Sequence, residues 1–159
     1  MTATANAITA YARTQSSETS RWYHGGLITF LATGDDTNGQ FSLIEYRASK
    51  GGEPPRHIHQ NEEECFYILD GEFTFYIGEQ VLSAPAGTWA IIPRGAVHTF
   101  SIETEQATAL VFFTPSGFED FFKEMSEPAE SLTVPPAPLG PPNIARLVAT
   151  AEKYGCQFV

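Results

Sequence analysis

The stretch Glu72–Ile77, EFTFYI, alternates without a break: Phe73, Phe75 and Ile77 fall on one side, Thr74 and Tyr76 on the other. A period of two is the mark of a strand with one buried face. Similar strand-length runs lie on both sides of it: LITFLAT (Leu27–Thr33), FSLIEYR (Phe41–Arg47), ECFYIL, VLSA, TWAII, VHTFSI and ATALVFFT (Ala107–Thr114). Turn chemistry separates them, as GDDTNG, SKGGEPP, Gly78-Glu79, Pro85-Ala86-Gly87 and Pro93-Arg94-Gly95. Asp70-Gly71 is a favoured hairpin dipeptide. Many short strands at close spacing predict an all-β chain, folded as an antiparallel barrel or sandwich.

The flanks read differently. Residues 1–20 are rich in Thr, Ala and Ser without periodicity and are expected to form a loose arm; 21–115 hold the strands; 116–159 form a helical extension of the same domain. Ser116 with Glu119 three residues on predicts a capping box, followed by the apolar stripe Phe118, Phe121, Phe122 and Met125. Pro128 stops that helix, and SLTVPPAPLGPP is an extended connector. Asn143 can cap a last helix with the stripe Ile144, Leu147, Val148 and Ala151, ending at Lys153 and Gly155. Both helices are expected to pack outside the barrel.

Composition narrows the partners. The 159 residues carry 19 acidic and 9 basic side chains, a net charge of −10, with no basic cluster, which argues against nucleic acid and anionic membrane. No apolar run is long enough to span a bilayer, and no signal peptide is expected from the N-terminus. Cys65 and Cys156 form no close pair, which fits a reduced, cytoplasmic setting. A small-molecule partner remains.

The chemistry concentrates in GGEPPRHIHQNEEECFYILDG. His57 and His59 share a pleat face and aim two imidazoles at one point, as a shared metal ion requires. Glu64 has the opposite parity, so the intervening QNEE must turn or bulge. Gly51-x5-His57-x-His59-x4-Glu64-x6-Gly71 resembles the first motif of the cupin superfamily, and Gly87-x5-Pro93-x-Gly95-x2-His98 the second. The resemblance implies a cupin-type antiparallel β-barrel, of the double-stranded β-helix or jelly-roll kind. It also implies His57, His59, Glu64 and His98 as ligands of one divalent first-row metal: Fe, Mn, Co, Ni, Cu or Zn. Three imidazoles and a carboxylate suit such metals on their own chemistry. Ile102 stands where the second motif often carries Asn, which suggests an apolar pocket wall beside His98.

Within the superfamily, HIHQNEEECFYILDGE and SGFEDFFKEM are most similar to small single-domain members of the quercetin 2,3-dioxygenase-like group. That likeness implies a dioxygenase acting on an aromatic or enol-bearing small molecule, with Glu64 as both ligand and proton acceptor. Two other readings stay open: a non-oxidative isomerase of a sugar or keto acid, and a non-catalytic metal-dependent binding module. A homodimer is a family-level expectation.

The remaining candidates are expected to serve structure or surface. His24 belongs to no motif and is expected in a loop. Glu62 and Glu63 read as a solvated acidic turn, and Arg56 and Arg94 as rim or surface groups. Phe73 and Phe75 read as core, since small barrels fill their interiors. Phe66 and Phe100 share faces with Glu64 and His98, so with Ile102 they are the candidates for contact with substrate. The Phe118–Met125 stripe reads as packing.

Overall fold

The computed structural model describes residues 7–136 and 142–159; the first six residues of the arm and part of the proline-rich connector lie outside that description. The first strands are β1 (Ser20–Tyr23), β2 (Gly26–Ala32), β3 (Ser42–Ser49), β4 (His57–His59), β5 (Glu63–Asp70) and β6 (Glu72–Ile77). There follow β7 (Gln80–Pro85), β8 (Trp89–Ile92), β9 (His98–Ile102), β10 (Gln106–Thr114), β11 (Glu127–Pro128) and β12 (Cys156–Phe158). Three helices interrupt them: α1 (Gly34–Thr37), α2 (Glu119–Met125) and α3 (Ile144–Lys153).

Two antiparallel sheets result, in the orders β11-β1-β2-β3-β10-β5-β8 and β12-β4-β9-β6-β7. From β5 to β10 the chain passes repeatedly from one sheet to the other, which is the jelly-roll course expected. Period-two alternation decides what faces inward: on β10, Ala107, Ala109, Val111 and Phe113 are all buried, while their neighbours are not. Phe66, Phe73, Phe75, Phe100 and Ile102 meet these from the other strands and close one end of the interior.

Four local expectations are corrected. Asp70-Gly71 is not a hairpin: β5 and β6 lie in different sheets, and the chain crosses between them there. Gly71 has φ +76°, and a Cβ would collide with Thr104, Gln106 and Ala107, so glycine is required by a tight corner rather than by a hairpin. The two-residue loop Gly78-Glu79 does join paired strands, β6 and β7. GDDTNG contains the short helix α1, because Asp36 accepts from the Thr33 backbone N–H at 2.9 Å and completes a capping box. No capping box forms at Ser116. Glu119 instead turns its buried carboxylate to the backbone N–H groups of Gly34 and Gly117, at 2.7 and 2.6 Å, and ties α2 to α1. The fourth concerns the C-terminus.

Asn143 caps α3 as expected, accepting from the Arg146 backbone N–H at 3.0 Å. Leu147 and Ala151 are buried, but Ile144 is exposed. After Gly155 (φ +73°) the chain does not stop at a helix end. It adds β12 along β4, in the register Cys156↔His59, Gln157↔Ile58 and Phe158↔His57. The helical extension therefore returns a strand to the sheet that carries both histidines.

Residues 7–19 form neither helix nor strand but are fastened. Tyr11 Oη–H donates to the Leu31 carbonyl at 2.9 Å, Arg13 pairs with Asp36 at 2.7 Å, and Gln15 reaches Thr29 at 3.2 Å. Thr29, on the outer face of β2, is thereby buried as fully as the core face.

Candidate metal centre

His57 and His98 face each other across β4 and β9, with ring centroids 4.2 Å apart. His59, on the same pleat face as His57, lies 5.0 Å from it and 5.6 Å from His98. Glu64 enters from the other sheet. Its Oε2 is 2.9 Å from His98 Nε2 and 3.4 Å from His59 Nε2. One ligand atom from each of the four residues falls within 4.8 Å of all the others, and all four side chains are buried. Among the described residues this is the one His/Cys/Asp/Glu group so arranged. Cys65 and Cys156 are free, buried and outside it.

The hydrogen bonds around the cluster show what it lacks. His57 Nδ1 meets the Pro55 carbonyl at 3.0 Å and His98 Nδ1 the Ala96 carbonyl at 3.0 Å. A carbonyl only accepts, so both Nδ1 atoms carry the proton and both Nε2 atoms turn to the cluster. His98 then has acceptors on both sides, and its Nε2 meets the Glu64 carboxylate only with a proton or a cation between them. His59 is buried with neither ring nitrogen hydrogen-bonded. An orphaned buried polar group of this kind costs about 1–3 kcal/mol. A divalent cation held by the three imidazoles and Glu64 would answer the first deficit and the Nε2 side of the second, and the N3O donor set without thiolate suits a borderline first-row metal.

Electrostatics agree. Burial would raise the Glu64 carboxyl, but the close approach of His59 and the hydrogen bond and charge of His98 overcome it and hold the group ionised far below its usual range. Burial lowers His57 to about 4, its neighbours His98 and His59 adding to the effect against Glu64, so it is neutral at physiological pH. At His98 burial works downward, but the bond to Glu64 prevails and raises the group.

Glu62 is a residue that the sequence reading misplaced. It is 3% exposed, not solvated, and its Oε2 stands 3.8 Å from His59 Nδ1 with no hydrogen-bond partner. The start of α2 covers it, with the Gly117 backbone close by. Burial pushes its carboxyl up to about 7. A carboxylate behind a ligating imidazole orients the ring and raises its basicity. Glu62→Ala is therefore expected to weaken divalent-metal binding by roughly 10- to 100-fold in a competition titration. Glu62→Gln, which keeps an acceptor oxygen, should recover much of that loss. Glu63, by contrast, pairs with Arg94 at the surface at 3.0 Å, and Arg56 is exposed.

The same shifts set a pH dependence for the metal-free protein. His57 is depressed when folded, so the unfolded chain binds more protons between about pH 4 and 6.5, and stability falls as pH drops through that window. Glu62 is raised when folded, so its contribution is present at low pH and is lost as pH rises from 4.5 to about 7. The two oppose each other and leave a shallow profile from pH 4.5 to 6.5, with a fall below it as Glu64 is protonated. In metal-free Glu62→Gln the compensation is gone. Urea unfolding should then show stability climbing with pH across that range, by up to about 3 kcal/mol.

A cavity of about 580 Å³ opens onto His57, His59 and Glu64. Phe66 and Phe100 line it, as expected; Ile102 does not. Ile102 lies four residues along β9 from His98, roughly 13 Å, and is fully buried against Phe73 at the packed end. The Phe118–Met125 stripe does more than pack: Phe118, Phe121 and Phe122 form cavity wall as well as core, and the Phe118 ring lies 4.3 Å from His59. His24, in the exposed β1–β2 turn, reaches the rim.

Residues 45–114 match the cupin domain. The chain carries a cupin domain. It is 27% identical over 108 residues to quercetin 2,3-dioxygenase of Bacillus subtilis, covering 68% of this chain and 32% of that protein. It is 30% identical over 118 residues to quercetin 2,3-dioxygenase of Aspergillus japonicus, covering 69% and 33%. The chain thus spans about a third of the length of those two relatives. An RmlC-like cupin from Shewanella frigidimarina shares its fold with a TM-score of 0.59, at 20% identity over 72% of this chain and 99% of that one. No helix among the described residues is long and apolar enough to cross a membrane.

Proposed function

We propose that this protein is a metal-dependent dioxygenase acting on a flat aromatic or enol-bearing small molecule, with His57, His59, Glu64 and His98 holding the metal. The observation that carries the reading is the cavity: six phenylalanines stand in its wall, and His57, His59 and Glu64 of the cluster line it with them. The likeness to two quercetin 2,3-dioxygenases supports the same class of substrate. When bound, the metal supplies Lewis acidity that lowers the pKa of a substrate hydroxyl. The aromatic walls exclude water and hold a planar molecule edge-on to the cluster. Glu64 takes the hydroxyl proton in this reading; that it lines the cavity and Glu62 does not supports the assignment. Glu53 also lines it, but its carboxylate accepts from the Gly51 and Ile102 backbone N–H groups at 3.1 and 2.9 Å. The deprotonated substrate then reacts with dioxygen, both oxygen atoms enter the products as a C–C bond breaks, and no external reductant is consumed.

A sugar or keto-acid isomerase would require polar or cationic walls. Among the described lining residues the one Lys or Arg is Lys50, which is 60% exposed and faces Glu103 at 3.8 Å. The test is oxygen uptake by metal-loaded protein against a flavonol and catechol panel. Consumption stoichiometric with substrate loss is expected; no turnover of any member, or turnover under strict anaerobiosis, would overturn the proposal.

A further inference from the structure

Tyr23 and Tyr46 stand on the cavity wall, and neither hydroxyl has a hydrogen-bond partner among the described residues. Tyr11, Tyr76 and Tyr154, by comparison, reach Leu31, Ser101 and Glu124 at 2.9, 3.4 and 2.8 Å. Both cavity tyrosines are fixed in place. Tyr46 shares the inward face of β3 with Ile44 and Ala48, and its ring edge lies so close to Gly26 that a Cβ there would come within 2.8 Å of Cε2. Gly26 thus clears the space this ring occupies. The Tyr23 ring is held edge-on by Phe121 and Phe122, with centroids 5.8 and 5.3 Å away.

Burial raises both phenols well above their usual range, with Tyr46 adding to the effect at Tyr23 and Glu53 at Tyr46. Both are protonated donors at neutral pH and face a predominantly apolar space. Neither hydroxyl is sealed from the cavity, so an oxygen of a bound molecule can take the place of solvent on both. They also lie away from the cluster. The Tyr46 ring meets Phe100 at 6.2 Å, and Phe100 is one pleat repeat, roughly 7 Å, along β9 from His98.

We propose that Tyr23 and Tyr46 form a second recognition point, donating hydrogen bonds to a neutral oxygen on the part of the substrate remote from the oxygens that face the histidines. The inference rests on the aromatic-substrate reading above and narrows it to molecules of two or more rings with oxygen at both ends. A single-ring catechol cannot use both points.

The test compares affinities within one series. Dissociation constants are measured by isothermal titration for 3-hydroxyflavone and its ring-hydroxylated analogues, on metal-loaded wild type, Tyr23→Phe, Tyr46→Phe and the double variant. Tyr→Phe keeps the ring packing, and metal content with near-ultraviolet dichroism checks the fold. Wild type should bind the best hydroxylated analogue about fivefold to tenfold more tightly than the parent. That ratio should fall toward one in the double variant, and each single variant should remove part of it even where the double variant does not fold. No preference in wild type, or a ratio that survives in the variants, overturns the second recognition point alone. Failure of wild type to bind any flavonol overturns the aromatic-substrate reading, and this inference with it.

Discussion

Replacing His98 with alanine is expected to leave a protein that binds a divalent first-row ion at least ~100-fold more weakly than wild type, since even an outer partner of a ligand is worth 10- to 100-fold. Its stability should fall as well. Glu64 meets His98 at 2.9 Å and His59 at the longer 3.4 Å, so removing His98 takes away the better partner of a buried carboxylate. Breaking a buried pair from one side costs about 3–5 kcal/mol. Glu64→Gln supplies the contrast. It also removes a ligand, but it removes the buried charge at the same time, so it should lose the metal with a smaller loss of stability. Equilibrium unfolding of both variants without metal, beside metal titrations, reads the two effects separately. A His98→Ala protein that retains a full equivalent of tightly held metal would refute its place in the centre.

Ending the chain after Gly155 is expected to have the second-largest effect. Without β12, the short strand β4 keeps one register pair to β9, His57↔His98, and becomes an edge. Buried Cys156 and the half-buried Phe158 would leave the cavity wall, and the ladder along His57–His59 would be lost. At about 25 cal/mol per Å² of apolar surface, two side chains of this size amount to about 3 kcal/mol. The loss falls where the histidines are positioned, so metal affinity should fall together with stability. Hydrogen exchange should locate the opening at residues 57–60, with β6 and β10 protected as before. Unchanged exchange at β4 in the truncated chain would show that β12 does not brace the centre.

Much of this was legible in the residues. Strict alternation at Glu72–Ile77 and Ala107–Thr114 specified strands and their buried faces, because period two is a local property. The spacing of His57, His59, Glu64 and His98 pointed to a single cluster, with the resemblance supplying the fourth member. What escaped is non-local. Glu62 sits in a run of three glutamates that reads as solvent-facing, and only the approach of α2 from 55 residues downstream buries it. Asp70-Gly71 was ambiguous in principle, since a hairpin and a corner between sheets both require a glycine at positive φ. Three residues, Cys156–Phe158, are too few to announce a strand by pattern. The phenylalanine stripe on α2 showed that one face is buried, but not that it borders a cavity.

The central claim, that three imidazoles and one carboxylate hold a divalent metal, is tested most directly by X-ray absorption at the metal edge on protein loaded with one equivalent. Three imidazoles and oxygen in the inner shell, without sulfur, is the predicted result. A sulfur shell would transfer the site toward Cys156, and a spectrum with no imidazole scattering would contradict the account outright.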